Sequence, residues 1–195
     1  MPERTTDELL LAKAGDGDQA AFLELYERHR LPIFRFAYRL LGSVELAEDV
    51  THDCFLSLIK RPGNFRSERG SLRSYLFAAA RNLALKHFRN LGRETGLDEV
   101  SEEPQVSERQ QPLRRLLDDE LAAKVRDAIL SLPAFQREVL VLFEFEGLSL
   151  NEISDVVGAD VGAVKARLFR ARGALKSILR SYLNSSREIV TLKEA

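Results

Sequence analysis

Residues 148–175, LSLNEISDVVGADVGAVKARLFRARGAL, constrain the fold more than any other stretch of the chain. Two short amphipathic patterns meet there at one glycine. Ser149 followed by Glu152 has the spacing of a capping box, so a helix is expected from Leu150. Leu150, Ile153 and Val157 share one face at helical spacing. Gly158 can take a positive φ without steric cost, which ends the helix and turns the chain. Asp160 then suits the cap of a second helix, whose buried stripe is Val161, Val164, Leu168, Ala171 and Leu175. This is the pattern of a helix-turn-helix.

The other side of the second helix says what the unit could touch. At about 100° per residue, Gly162, Ala163, Ala166 and Arg170 point away from the buried stripe, and Lys165 and Arg167 flank them. Small central residues let a helix seat deep in a major groove, while cations at the rim reach phosphates. From Asp160 to Arg180 six Lys/Arg face one acid, a balance of +5. Duplex DNA is the expected partner. A plain helical hairpin with a solvated basic face is the competing reading. It does not require the capping box, the glycine turn and the small outward residues together.

Composition narrows the rest. The 195 residues, 45% hydrophobic and 30% charged, suit one soluble domain or two small ones. No apolar run approaches the ~20 residues of a membrane span. The first residues also lack a basic start followed by a long apolar core. No membrane insertion is therefore expected. The single cysteine, Cys54, rules out an internal disulfide and fits a reducing cytoplasm, the expected location.

The net charge of −1 conceals segregation. From Asn64 to Arg93 seven Arg/Lys face one acid, and from Glu94 to Glu120 nine acids face three Arg. Two basic segments separated by an acidic one suggest two nucleic-acid contacts.

Glycine and proline punctuate an otherwise helical pattern with no convincing strand. The expected fold is all-α, two small helical domains joined by a flexible acidic linker. The divisions fall at an N-terminal segment 1–19, a first domain 20–92, the linker 93–117, a second domain 118–183 and a frayed tail 184–195. Ala20–Leu41 reads as helical, with Pro32 expected to kink or split it. Gly42-Ser43 should cap a helix from Val44 to Lys60. Arg61–Gly70 reads as a loop, and Ser71–Asn90 as a long helix.

Both of these helices carry a second face. On the first, Glu45, Asp49 and Asp53 align opposite a core stripe of Ala47, Val50, Cys54 and Leu58. An aligned acidic ridge repels itself, which a basic protein partner would relieve; a merely solvated face stays open as an alternative. On the second, Leu72, Leu76, Ala80 and Leu83 face inward, while Tyr75, Asn82 and Lys86 line an exposed side with Arg89 nearby. An aromatic ring, an amide and cations suit single-stranded nucleic acid. The loop with Asn64, Phe65, Arg66, Ser67 and Arg69 could pocket an extruded base. An ordinary mixed polar face is the alternative.

Catalytic chemistry has no visible footing. His29, His52 and His87 are widely spaced, and no Cys/His spacing supports a metal site. There is no P-loop and no dinucleotide glycine motif, so no cofactor is expected. Gly15–Asp18 lacks the rest of a calcium loop.

Four segments together carry a family resemblance. GDQAAFLELYERHRLPIFRFAYRLLG, ELAEDVTHDCFLSLIK, SLRSYLFAAARNLALKHFR, and LPAFQREVLVLFEFEGLSLNEIS with AVKARLFRARGAL stand in order. Over roughly Leu9–Leu183 the chain resembles a bacterial RNA polymerase sigma factor of the extracytoplasmic-function (ECF) group. The resemblance implies an initiation subunit that is not itself an enzyme. It would bind core polymerase at the β′ clamp helices and β flap, recognise −10 and −35 promoter elements, and melt the promoter. An anti-sigma protein is a further partner the family suggests. The resemblance assigns polymerase binding to Glu45, Glu48, Asp49, Asp53, Phe55 and Leu56. It assigns −10 DNA to Asn64, Phe65, Arg66, Arg69, Tyr75, Asn82, Lys86 and Arg89. It assigns −35 DNA to Gly162, Ala163, Lys165, Ala166, Arg167 and Arg170. The chain departs from the family in having no tryptophan: Ile59 and Tyr75 stand near the usual places. His52 stands where glutamine is common, and Gly162-Ala163 replaces a more usual polar pair. A stand-alone regulator with a ligand-sensing N-terminal domain is the runner-up.

Overall fold

Caps and breakers set the helix limits in this computed structural model, which describes residues 6–94 and 112–191. Helix α1 spans Asp7–Gly15, α2 Gln19–Leu41, α3 Val44–Lys60 and α4 Leu72–Glu94. Helix α5 spans Pro112–Leu130, α6 Ala134–Glu144, α7 Leu150–Val157 and α8 Val161–Thr191. Two single 3₁₀ turns, Pro62–Asn64 and Ser67–Arg69, fill the loop between α3 and α4. No strand occurs among the described residues.

The α2–α3 junction shows how locally these limits are decided. Gly42 closes α2 at φ 74°, and Ser43 caps α3 by accepting from the Leu46 N–H at 3.2 Å.

Four boundaries differ from the sequence reading. Helix α1 lies in the segment given no structure. Its apolar part is too short for periodicity to register, yet it buries Leu10 and Leu11. Asp7 pins it to α2, accepting from Arg28 at 2.6 Å and lying 2.7 Å from His29 Nε2. Pro32 does not split α2. The missing N–H and ring clash cost about 3 kcal/mol in a free helix. Here Leu25 and His29 before Pro32, and Ile33, Phe36 and Leu40 after it, all bury against neighbours and hold one axis. Helix α5 begins at Pro112, inside the expected linker, and α8 continues to Thr191, inside the expected tail.

Helices α1–α4 pack round Phe36 and Phe77, whose rings meet edge to face at 5.2 Å. Helices α5–α8 pack round Leu140, Leu142, Ile153 and Val164. Helix α6 is unusual. Six consecutive residues, Arg137–Leu142, are buried, so it is covered on every side rather than amphipathic. Its apolar flank meets α7 and α8, and its charged flank meets the first domain. The two halves therefore share one continuous core cluster.

The join between the halves is mostly made by arginines. Arg137 donates to the Leu40 carbonyl at the end of α2 and to the Leu130 and Leu132 carbonyls. Arg73 donates to the Glu146 carbonyl, and Arg39 pairs with the Glu146 carboxylate at 3.3 Å. Burial pushes the Glu146 carboxyl up, while Arg39, Arg73 and Arg35 pull it down. Between α2 and α5 lies a cleft of about 500 Å³, lined by Tyr38, Val125, Ile129 and Phe145 and edged by Arg35, Arg39 and Arg126.

Candidate nucleic-acid interface

The α7–α8 turn is built by side-chain caps on the backbone and one glycine. The Ser149 side chain accepts from the Glu152 N–H at 3.3 Å, and the Glu152 carboxylate accepts from the Ser149 N–H at 2.8 Å. Those bonds to Ser149 hold the Glu152 carboxyl below its ordinary value. Gly158 turns the chain at φ 63°, and Asp160 accepts from the Ala163 N–H at 2.9 Å to start α8. Ile153, Val164 and Ala171 are fully buried beneath the turn, so α8 is held rigidly.

The outward side of α8 presents Gly162, Lys165, Ala166 and Arg170, all exposed, with Ala163 half-buried. Arg167 flanks that face only in part, its side chain 24% exposed. It lies 3.6 Å from the Glu138 carboxylate and over the Phe135 ring at 5.3 Å, turned inward. The reason is angular: three residues beyond buried Val164 is a step of about 300°, which lands on the shoulder of the buried stripe. Arg172, exposed on the same helix, pairs with Glu144 at 2.5 Å. Sequence reasoning missed Phe169. Its ring is 80% exposed, four residues beyond Lys165 and three beyond Ala166. An aromatic on the polar side of a helical pattern was the available signal.

The second surface lies on α4 and its preceding loop. Tyr75 is half-buried, its ring meeting Phe65 edge to face at 5.7 Å. Burial, with the Cys54 thiol adding to it, pushes the phenol up. The hydroxyl thus stays a neutral donor at physiological pH. Asn82 and Lys86 are exposed, and Asn82 accepts from Arg81 Nη1 at 3.4 Å. Asn64 and Arg66 are exposed in the loop. The Arg69 and Arg89 side chains lie outside the described residues. Arg73 and Arg81 of the same helix face the second half of the molecule.

The third surface is α3. Glu45, Glu48, Asp49 and Asp53 are exposed and Leu56 is half-buried. Phe55 is a correction. It is 2% exposed and meets Tyr26 edge to face at 4.9 Å, because it continues the buried line Thr51–Phe55–Leu58. It supports the ridge from below and offers no surface of its own.

Among the described residues, no group of three or more His, Cys, Asp or Glu is placed to hold a metal. Among the same residues, no helix is long and apolar enough to cross a membrane.

Comparison with known proteins places the chain in a family. Residues 25–94 match the model for Sigma-70 region 2, and residues 122–175 match that for Sigma-70, region 4. The chain is 31% identical to the RNA polymerase sigma-H factor of Pseudomonas aeruginosa, over 95% of this chain and 100% of that one. It is 31% identical to the ECF RNA polymerase sigma factor SigW of Bacillus subtilis, over 84% of this chain and 91% of that one. Among solved structures it is similar to CnrH in complex with the cytosolic domain of CnrY. There the TM-score is 0.67 and the identity 29%, over 90% of this chain and 97% of that one. With its matched regions falling on α2–α4 and on α5–α8, the chain belongs to the sigma-70 family of RNA polymerase sigma factors, in the ECF group, and acts in promoter-specific transcription initiation.

Proposed function

We propose that the chain is a non-catalytic initiation subunit that works in the cytoplasm through three separate surfaces. The α3 ridge of Glu45, Glu48, Asp49 and Asp53 docks on a basic helical surface of core polymerase, the β′ clamp helices. Leu56 supplies apolar contact there. Helix α8 enters the major groove of the −35 element. Gly162, Ala163 and Ala166 allow close approach, Lys165 and Arg170 neutralise phosphates, and the Phe169 ring suits a thymine methyl. The domain of α8 also meets the β flap.

Helix α4 and its loop take the melted −10 strand. Phe65 and Tyr75 form an aromatic wall against which a base can stack, Asn82 reads a base edge, and Lys86, Arg66, Arg69 and Arg89 meet the backbone with Asn64 beside them. Stacking contributes about 1–3 kcal/mol per base. Opening one base-pair step costs on the order of 1.4 kcal/mol. One or two captured bases therefore offset about one or two opened steps, so binding energy alone can nucleate melting. No nucleotide hydrolysis is needed for this step.

The observation that carries this reading is the coexistence of two unlike nucleic-acid faces on one chain. One is a rigid small-residue helix with exposed cations at the turn of α7–α8. The other is an aromatic, amide and cation face on α4. A duplex-only regulator has no use for the second. The solved complex of CnrH with the cytosolic domain of CnrY gives reason to expect a protein partner here as well, and the family suggests an anti-sigma protein for that place.

The test is run-off transcription with purified protein and core polymerase on a genomic promoter library. Initiation at a discrete set of promoters is the expected outcome. Failure to bind core polymerase even at low salt would overturn the reading.

A further inference from the structure

The charges between the two halves converge on one carboxylate. Glu138 of α6 is 1% exposed. Arg81 of α4 engages it with both arms of its fork, Nε to Oε2 at 2.7 Å and Nη2 to Oε1 at 3.1 Å. Arg167 of α8 approaches the same Oε1, but only to 3.6 Å, beyond hydrogen-bond reach. Its Nη1 is buried and has no acceptor.

This is an odd arrangement for a structural ion pair. Glu138 and Arg167 belong to the same domain and face each other across the α6–α8 packing, yet the fully bonded partner comes from the other domain. A buried guanidinium nitrogen without an acceptor costs free energy, and the cost disappears if the acceptor becomes available. Removing Arg81 would free both carboxylate oxygens, of which Oε1 already lies 3.6 Å from Arg167 Nη1. Neither Glu138 nor Arg167 would then be left alone.

We propose that Glu138 is a switch carboxylate. With the domains closed it binds Arg81 of the first domain. As the domains separate it passes to Arg167, so opening is linked to bracing of the DNA-reading helix α8 against α6. A buried carboxylate normally locks a contact, because breaking it strands a charge. Here a second arginine waits at the right distance, so the contact can open without that penalty. Two other joins fit such a hinge, while the buried bond from Arg137 to the Leu40 carbonyl and the shared core must also part on opening. Arg39–Glu146 and Arg73 to the Glu146 carbonyl are also single cation contacts between the halves, and each arginine can be re-solvated on opening. The inference concerns the isolated chain's conformation and does not depend on the promoter reading above.

Two arginines competing for one carboxylate predict shifts of opposite sign. Arg81→Gln removes the closed-state partner and should raise the open-to-closed ratio about ten- to a hundredfold, the worth of one charge-assisted pair. Arg167→Gln removes the open-state partner and also the buried orphan nitrogen of the closed state, so it should lower that ratio. The readout is the distance distribution between spin labels at Lys60→Cys on α3 and Lys176→Cys on α8, both exposed sites. Cys54 does not compete for label, since it is buried and its thiol is pushed up to about 12. Circular dichroism confirms folding, and Arg167→Lys, which keeps charge but lacks the fork, stands in if Arg167→Gln does not fold. Longer distances for the first variant and shorter or narrower ones for the second support the switch. Shifts of the same sign, no shift in either, or an open wild-type chain at low salt would overturn it.

Discussion

Two cations two residues apart on α8 should behave differently toward DNA. Lys165 is exposed on the outward face, while Arg167 is turned to Glu138 and Phe135. Each phosphate neutralised on duplex DNA contributes about 0.9 to the slope of log K against log salt. Lys165→Ala should therefore flatten that slope by about 0.9. Raising salt from about 50 to about 200 mM is a fourfold step, over which the affinity lost should shrink by a factor of about 3.5. Arg167→Ala should leave the slope within error, because its charged end is engaged by a carboxylate and a ring. Arg170→Ala, exposed like Lys165, serves as the positive control. The assay is fluorescence anisotropy of a mixed-sequence duplex titrated with purified protein at several salt concentrations. A mixed sequence suffices because phosphate contacts are blind to base identity. An equal loss of slope for Arg167→Ala and Lys165→Ala would refute the inward assignment of Arg167. An unchanged slope for Lys165→Ala would remove it from the DNA surface.

Two further outcomes test the scaffold. Ser149→Ala removes the capping box and should cost about 1 kcal/mol, a loss of about 2–4 °C in Tm for a chain of this size. The Glu152 carboxyl is held low in the folded state, so its stabilising contribution is present at neutral pH. That contribution should fade as acid carries the pH through its depressed value, and the stability difference between wild type and Ser149→Ala should narrow over that range. Cys54, its thiol pushed up to about 12 mainly by burial, should resist alkylation in the native protein at pH ~8 and react at once in denaturant. Rapid native alkylation, followed by mass spectrometry, would show that the α3–α4 packing opens readily.

What could be read in advance was local. The capping box at Ser149–Glu152, the turn at Gly158 and the cap at Asp160 involve partners within three residues, so spacing alone displays them. The core stripe of α3 was legible for the same reason, and so was that of α8 apart from Val161 and Leu175, which are only half-buried. Arg167 sits at the edge of a stripe, where periodicity does not choose between surface and core, while Phe55 was placed on the surface by the family resemblance rather than by spacing. Tyr26 decided one of them and Glu138 the other. Pro32 misled in the opposite direction: a local breaker was overruled by packing on both sides of it. The first helix escaped notice because its apolar run is brief and its anchor, Asp7 with Arg28 and His29, joins residues more than twenty apart.

By itself the sequence determined an all-helical chain and its principal turns. Those follow from periodicities of a few residues and from the φ and capping preferences of single side chains. Only the tertiary structure decided which arginines face outward. Arg73, Arg81 and Arg137 carry the same charge in the sequence as Lys165 and Arg170, yet they are spent on the join between the halves, and Arg167 turns to Glu138 within the second half. A cation goes wherever a carboxylate or carbonyl has been buried without a partner. Glu138 meets Arg81 from 57 residues away, and no local pattern can announce such a meeting.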